Sequence, residues 1–183
     1  NALAGAITLS NLVSGEALNH SGTATTSSAN AGSYTISNLS GISIADGSGG
    51  AASNYTLTGG THNFTINQRP LNATLARQYD GTTNAAGSDL SSFDALQGGE
   101  TLTLSGSGTA ANDNVANGIS VSSLGSLALV NGTGLASNYS LNSAAINITQ
   151  RVLNSSGSKT YDANTNALAG AITLSNLVSG EAL

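Results

Sequence analysis

The sequence contains no cysteine, which excludes disulfides, thiolate nucleophiles and cysteine-based metal sites at once. Small secreted eukaryotic domains are usually stapled by disulfides, so the absence fits a bacterial surface protein or a cytosolic one. Charge is also scarce: Asp, Glu, Lys and Arg make up 7% of the chain, against about a quarter in ordinary globular proteins. The cations are Lys159, Arg69, Arg77 and Arg151, and the net charge is −5. Four scattered cations cannot build the basic face that neutralises phosphates, so a nucleic-acid partner is excluded. No apolar run approaches the roughly 20 residues needed to span a bilayer, and no membrane insertion is expected of this segment. Pro70 is the single proline, and hydrophobic residues reach 39% in ordered spacing. That composition belongs to a folded chain rather than to a disordered polymer.

What takes the place of charge is Asn, Ser, Thr and Gly, and it comes in repeats. Residues 1–18 reappear letter for letter as 166–183, a period of 165 residues. A tandem array has such a pattern automatically; no leader is visible, as expected of a stretch from inside an array. The period divides again. Phe64-Thr-Ile-Asn-Gln-Arg-Pro-Leu-Asn72 answers Ile146-Asn-Ile-Thr-Gln-Arg-Val-Leu-Asn154, and Tyr79-Asp-Gly-Thr-Thr83 answers Tyr161-Asp-Ala-Asn-Thr165, both at an offset of 82. Ser53-Asn54-Tyr55-Thr-Leu57 answers Ser137-Asn138-Tyr139-Ser-Leu141, and Ser21-Gly-Thr-Ala24 answers Ser107-Gly-Thr-Ala110 at 86, so small insertions separate the landmarks. The boundaries that follow are a module at 1–69 lacking its first strand, a complete module at 70–150, and the opening strands of a third at 151–183. Junctions of two residues or so predict stiff coupling between neighbours.

Hydrophobicity alternates within each module: Leu102/Leu104, Ile119/Val121, Leu127/Leu129, Tyr139/Leu141 and Ile146/Ile148, answered by Tyr34/Ile36, Ile42/Ile44, Tyr55/Leu57 and Phe64/Ile66. A period of two with Thr and Tyr enrichment reads as half-buried antiparallel strands. Asp46-Gly47, Gly98-Gly99 and Asn131-Gly132 punctuate them as turns. A short helical turn is expected around Ser91–Leu96. The fold class is therefore all-β: tandem small antiparallel β-sandwich modules of Ig-like character, about 82 residues each, stacked end to end. A β-solenoid is disfavoured because no self-similarity shows at its shorter coil spacing.

Lys159-Thr-Tyr161-Asp162, Arg77-Gln-Tyr79-Asp80-Gly81-Thr82-Thr83, then Gly-Glu-x-Leu, Asp113-Asn-Val115, Ser-Asn-Tyr-x-Leu and a closing Ile-x-Ile strand resemble, in that order, the YDG/MBG repeat modules. Such modules occur in large bacterial surface adhesins of the filamentous-haemagglutinin-like, two-partner-secreted type. The resemblance spans essentially the whole chain, implies an extracellular all-β stalk module, and brings no catalytic site with it. Two departures stand out: Ala163 replaces the Gly of Tyr-Asp-Gly, and Arg77 stands where Lys is commoner.

The chemistry-bearing candidates each have a plain reading. Tyr79 and Tyr161 are expected to pack inward, with Asp80 and Asp162 accepting backbone N–H bonds in the turn that follows. Together with Gly81, Asn54, Tyr55, Asn138 and Tyr139 they form the structural motif. A Lys–Asn isopeptide bond is excluded in 70–150, which holds no lysine, and open only to Lys159. Asp80, Asp89, Asp94, Glu100 and Asp113 are too spread for a calcium loop, and His20 and His62 stand apart without metal-ligand spacing. No Gly-x-Ser-x-Gly elbow or triad is present. The Asn-x-Ser/Thr sequons (Asn19, Asn38, Asn54, Asn63, Asn72, Asn131, Asn138, Asn147, Asn154) are glycosylation candidates or the arithmetic of a chain rich in Asn, Ser and Thr.

The expected role is mechanical and not enzymatic, with no cofactor and no metal. It is a structural repeat segment of an adhesin or biofilm-matrix fibre, located outside the cell or on the bacterial outer surface. Its partners are other copies of itself, end to end in one chain and laterally. The alternative is a glycan- or surface-binding module, with surface glycans as its partners.

Overall fold

The computed structural model describes residues 2–3 and 7–183, with the backbone alone for Ala2 and Leu3. The chain is all-β. Among the described residues helical geometry is confined to single 3₁₀ turns at Ala52–Asn54, Gly87–Asp89, Ala136–Asn138 and Ala169–Ala171, and none is long and apolar enough to cross a membrane. Two units are distinguished: residues 1–69 with 137–139, and residues 70–136 with 140–183.

The first unit holds β1 (Ala2–Leu3), β2 (Leu18–Thr26), β3 (Gly32–Asn38), β4 (Ile42–Asp46) and β5 (Asn63–Ile66). β2 pairs with β1, β3 and β4, and β3 pairs with β5, which ends the sheet. Cross-strand hydroxyls join at 3.1 Å, Ser21 to Ser43 and Ser33 to Thr65, so the polar face of the alternation is used as well as the apolar one. The apolar face is thin. Ala24 and Ile36 are its buried residues, with Ile7, Leu39, Ile42 and Phe64 packed partly against them.

The second unit is better filled. Its strands are β6 (Arg69–Gln78), β7 (Asn84–Ala86), β8 (Leu90–Phe93), β9 (Leu102–Ser105), β10 (Ser107–Ala110), β11 (Ala116–Ser123), β12 (Ala128–Asn131), β13 (Tyr139–Thr149), β14 (Asn154–Gly157) and β15 (Ile172–Ser175). Six of them form one sheet in the order β7-β10-β11-β13-β6-β8, while β12-β9 and β14-β15 are separate ribbons. Leu71, Leu75, Ile146 and Ile148 are its largest fully buried side chains. Leu104 of β9 and Leu127 belong to the same cluster as Leu75 and Ile146, so the β12-β9 ribbon covers the same core. Burial of each such side chain is worth about 1.5–3 kcal/mol.

Two expectations are corrected here. β6 and β13 do not run antiparallel: Asn72 meets Asn142 and Ser143, while Arg77 and Tyr79 meet Thr149, so both strands advance together. Alternation reports which residues face the core and carries no information on strand direction. The segment Ser91–Leu96 is not helical; β8 occupies Leu90–Phe93, and the nearest 3₁₀ turn, Gly87–Asp89, precedes it. Short apolar runs are ambiguous between the two geometries.

Strand pairings in the two units correspond. Thr25 lies opposite Asn38 in the first and Thr109 opposite Ser123 in the second. Gly32 lies opposite Ile66 as Ala116 does opposite Ile148, and Leu18 opposite Asp46 as Leu102 does opposite Asn131. Asp46 and Asn131 each accept a backbone N–H from the following 3₁₀ turn, from Ala52 and Ala136, at 2.7 Å. The opening strands recur within the second unit itself: Leu75 faces Leu90, and Gly157 faces Ile172.

Candidate functional site

The sharpest feature of the sequence, the Tyr-Asp turn, lies at the end of β6. Arg77 donates through Nη1 to the Asp80 carboxylate and through Nη2 to the Thr82 carbonyl. Asp80 Oδ1 also accepts the Thr82 backbone N–H at 3.0 Å and its hydroxyl at 2.9 Å, the Asx geometry that closes such turns. Gly81 takes φ +72°, a left-handed conformation that suits glycine. Partial burial works against ionisation of Asp80, but the Thr82 donors and the Arg77 guanidinium outweigh it and hold the carboxyl below its ordinary range. The Arg77 side chain is 9% exposed, and its Nε–H is buried without a hydrogen-bond partner.

Tyr79 is half-buried and packs against the core cluster. Its N–H donates to the Thr149 carbonyl at 2.9 Å, its carbonyl accepts from Arg151 Nη1 at 3.4 Å, and its phenol donates to the Glu181 carboxylate. The bond to Glu181 comes first among the causes that push the Tyr79 phenol up, followed by burial and by the nearby negative charge of Glu181, Asp113 and Asp80. Arg151 is fixed in turn by Asn176, through the carbonyl at 2.7 Å and Oδ1 at 2.9 Å. An open depression of about 380 Å³ lies beside these groups, with Leu153 and Val178 on its walls.

A YDG domain is detected at residues 65–148. No curated protein and no solved structure matches the chain. The YDG domain carries the Tyr79-Asp80-Gly81 turn, and a second such turn lies beyond it. Lys159 donates to Asn164 O at 2.8 Å, Asn164 Oδ1 at 2.9 Å and Asn166 O at 2.7 Å, and pairs with Asp162 at 3.0 Å. Asp162 accepts the Asn164 N–H at 3.2 Å. The Lys159 bond, with that N–H, holds the Asp162 carboxyl below its ordinary range. Ala163, at the position of Gly81, keeps φ +61°, so the turn is preserved without its glycine. The tyrosines differ: Tyr161 is 89% exposed, against the expected inward packing. Residues 158–165 carry no strand pairing, whereas Tyr79 is held by β13 through Thr149.

The Ser-Asn-Tyr elements hold the 3₁₀ turns. The Tyr55 phenol donates to Glu16 and accepts the Val13 N–H at 3.1 Å. The Glu16 bond, the largest influence, raises the Tyr55 phenol, while the Val13 N–H works the other way. Asn54 donates its N–H to Ala51 O at 3.0 Å. Asn138 accepts the Ala31 N–H at 2.9 Å and donates to Asn30 at 3.0 Å, both in the first unit. Tyr139 is buried.

Sequence reasoning did not find the tyrosine partners Glu16 and Glu181. A signal existed: 39 residues separate Glu16 from Tyr55, and the same spacing separates Glu100 from Tyr139. Among the described residues no three His, Asp or Glu side chains gather as a metal site, and His62 Nε2 lies 2.7 Å from Leu57 O. Several sequon carboxamides are engaged by the fold itself: Asn19 with Asp46 O, Asn38 with Ser40 N, Asn131 with Ala136 N and Asn147 with Gly118 N. What these groups do chemically is tie strand ends and turns to one another.

Proposed function

We propose that the chain is a structural repeat segment of a bacterial extracellular adhesin or biofilm-matrix fibre, built of tandem β-sandwich-like modules of about 82 residues. In this reading 1–69 is a module without its first strand, 70–150 a whole module and 151–183 the opening of a third. The observation that carries it is the recurrence of strand pairings where the sequence recurs: Leu75–Leu90 with Gly157–Ile172, and the landmark residues Ile66 and Ile148, paired with Gly32 and Ala116. Repetition serves length and summed weak contacts, and it serves a single catalytic pocket poorly. A surface solvated by hydroxyls and amides lets neighbouring filaments pack laterally with little charge repulsion.

Glycan binding calls for an exposed aromatic platform. Tyr34, Tyr55 and Tyr79 are half-buried and Tyr139 is buried, which leaves Tyr161 standing alone. That distribution favours the stalk. The test is the native polypeptide, probed with an antibody against residues 70–150 on intact cells and after surface proteolysis. A protease-accessible species many times the 17.9 kDa of this chain is expected. A discrete species of that small mass, protected inside the cell, would refute the reading.

A further inference from the structure

Asn-Gly occurs twice in the chain, at Asn117-Gly118 and at Asn131-Gly132. Asparagine before glycine readily loses its side-chain amide, because the following backbone nitrogen carries no bulky neighbour as it approaches the carboxamide carbon. The two pairs are held differently. Gly118 lies in the register shift of β11, at φ +69°, and its N–H is tied across to Asn147 Oδ1 of β13 at 2.8 Å. Asn131 is the exposed last residue of β12, with Gly132 beyond the strand end. The Gly132 N–H reaches the Gly134 carbonyl at 3.2 Å, the long limit of such bonds. The Asn131 carboxamide oxygen is firmly placed, accepting the Ala136 N–H at 2.7 Å. A donor so placed polarises the carbonyl and stabilises the oxyanion that forms when its carbon is attacked.

The first unit carries the corresponding pair as Asp46-Gly47. Leu18 opposite Asp46 matches Leu102 opposite Asn131, and Asp46 Oδ1 accepts the Ala52 N–H at the same 2.7 Å. Both units require the glycine. A Cβ at Gly47 would lie 2.3 Å from the Ala17 carbonyl oxygen, and one at Gly132 would lie 2.4 Å from that of Thr101. Steric fit therefore retains the glycine that exposes Asn131 to attack, while the first unit already holds a carboxylate in the equivalent place.

We propose that Asn131 is a site of non-enzymatic amide hydrolysis, with water as co-reactant and ammonia as leaving group. The Gly132 nitrogen gives its proton to solvent and bonds to Asn131 Cγ. The Ala136 N–H holds the resulting oxyanion, and the Cγ–Nδ2 bond breaks as the departing nitrogen takes up a proton. Water then adds to a carbonyl carbon of the five-membered imide and breaks that carbon's bond to the Gly132 nitrogen. Addition at Cγ gives aspartate, and addition at the main-chain carbon gives its β-linked isomer. The aspartate keeps the Ala136 bond as Asp46 keeps that to Ala52, and the net charge moves from −5 to −6. In a chain so poor in charge, the conversion is a lasting mark of age at the end of β12. It goes beyond the fibre reading and stands independently of it.

The test incubates the full chain at mildly alkaline pH and follows amide-to-acid conversion at each asparagine by peptide mapping and mass spectrometry. In the folded chain Asn131 is expected to convert about tenfold faster than Asn117, a modest share of what one oxyanion donor can supply. In strong denaturant both pairs lose their surroundings and the two rates converge. Ala136→Pro deletes the donor at the first position of the 3₁₀ turn, where the fixed φ of proline is accommodated. It should slow Asn131 about tenfold and leave Asn117 unchanged. Equal rates in the folded chain, a faster Asn117, or no slowing in a folded Ala136→Pro chain would overturn the proposal. The comparison with denaturant needs no variant, so it decides the matter even where Ala136→Pro fails to fold.

Discussion

Gly81 and Ala163 occupy the same place in two Tyr-Asp turns and share a left-handed backbone, at φ +72° and +61°. Exchanging them should therefore move stability in opposite directions. A non-glycine residue in this region costs about 1–2 kcal/mol. Ala in place of Gly returns about 0.4–1 kcal/mol by restricting the unfolded chain. The net for Gly81→Ala is a loss of about 0.5–1.5 kcal/mol. A Cβ at Gly81 would also come within 2.9 Å of Val178 Cγ1, a side-chain end that can rotate away, so the backbone term dominates. For a cooperative unit of this size the loss lowers the melting temperature by about 3–10 °C. Ala163→Gly removes the same strain from the second turn and stabilises it by a similar amount. The assay is thermal unfolding by circular dichroism on the full chain, with Gly81→Asn and Gly81→Val beside Gly81→Ala. The cost should rise from Asn to Ala to Val, because Asn tolerates the left-handed region and a β-branched residue does not. A Gly81→Ala chain that melts at or above the parent would refute the turn conformation on which this reasoning stands.

Leu75→Ala, at a fully buried position, should cost about 2–5 kcal/mol in a denaturant titration. Ile36→Ala, in the thinner core of the first unit, should cost clearly less because its surroundings already lie open to a groove. Arg77→Lys retires a buried N–H that has no partner and keeps a cation for Asp80, as Lys159 does for Asp162; chemical unfolding should show it neutral or stabilising by up to about 1 kcal/mol. Asp80 and Asp162 have depressed carboxyls, so their stabilising contribution is present above the ordinary carboxylate pKa and is lost as pH falls through the lower folded values. Asp80→Asn should flatten the acid limb of the stability–pH curve. The phenols of Tyr55 and Tyr79 are raised, so their contribution is complete below the ordinary phenol pKa and disappears as pH rises through the folded values. Ultraviolet titration of Tyr79→Phe should lose one late-ionising phenol.

How far the fold was legible differs from element to element. The alternations Tyr34/Ile36, Leu102/Leu104 and Ile146/Ile148 mark strands because a pleated ribbon can bury one face only if every second side chain is apolar. The Asp80 and Asp162 turns were legible for a local reason: a short carboxylate reaches an N–H two residues on without help from distant chain. Direction and partnership were not. β6 beside β13 depends on residues about 70 positions apart, and nothing in either alternation encodes it. Tyr161 matches Tyr79 in its local motif and yet stands exposed, because what buries Tyr79 is β13 and Glu181 rather than its own neighbours in sequence. Ile7–Ser10 and Ile172–Ser175 mark the limit of local reading, since identical strings adopt different pairings according to what lies alongside.

The parallel alignment of β6 with β13 also has a kinetic meaning. The contact between Asn72 and Ser143 closes 71 residues of chain, against 22 for the contact between Asn72 and Asp94. Loop-closure entropy makes the longer closure costlier by about 1 kcal/mol. The first strand of the module therefore waits for the last. A chain emerging end-first from a ribosome or through a membrane pore would carry each module as an unfinished sheet until its final strand arrived. In the proposed repeat array, closure from one module to the next would follow the order of emergence.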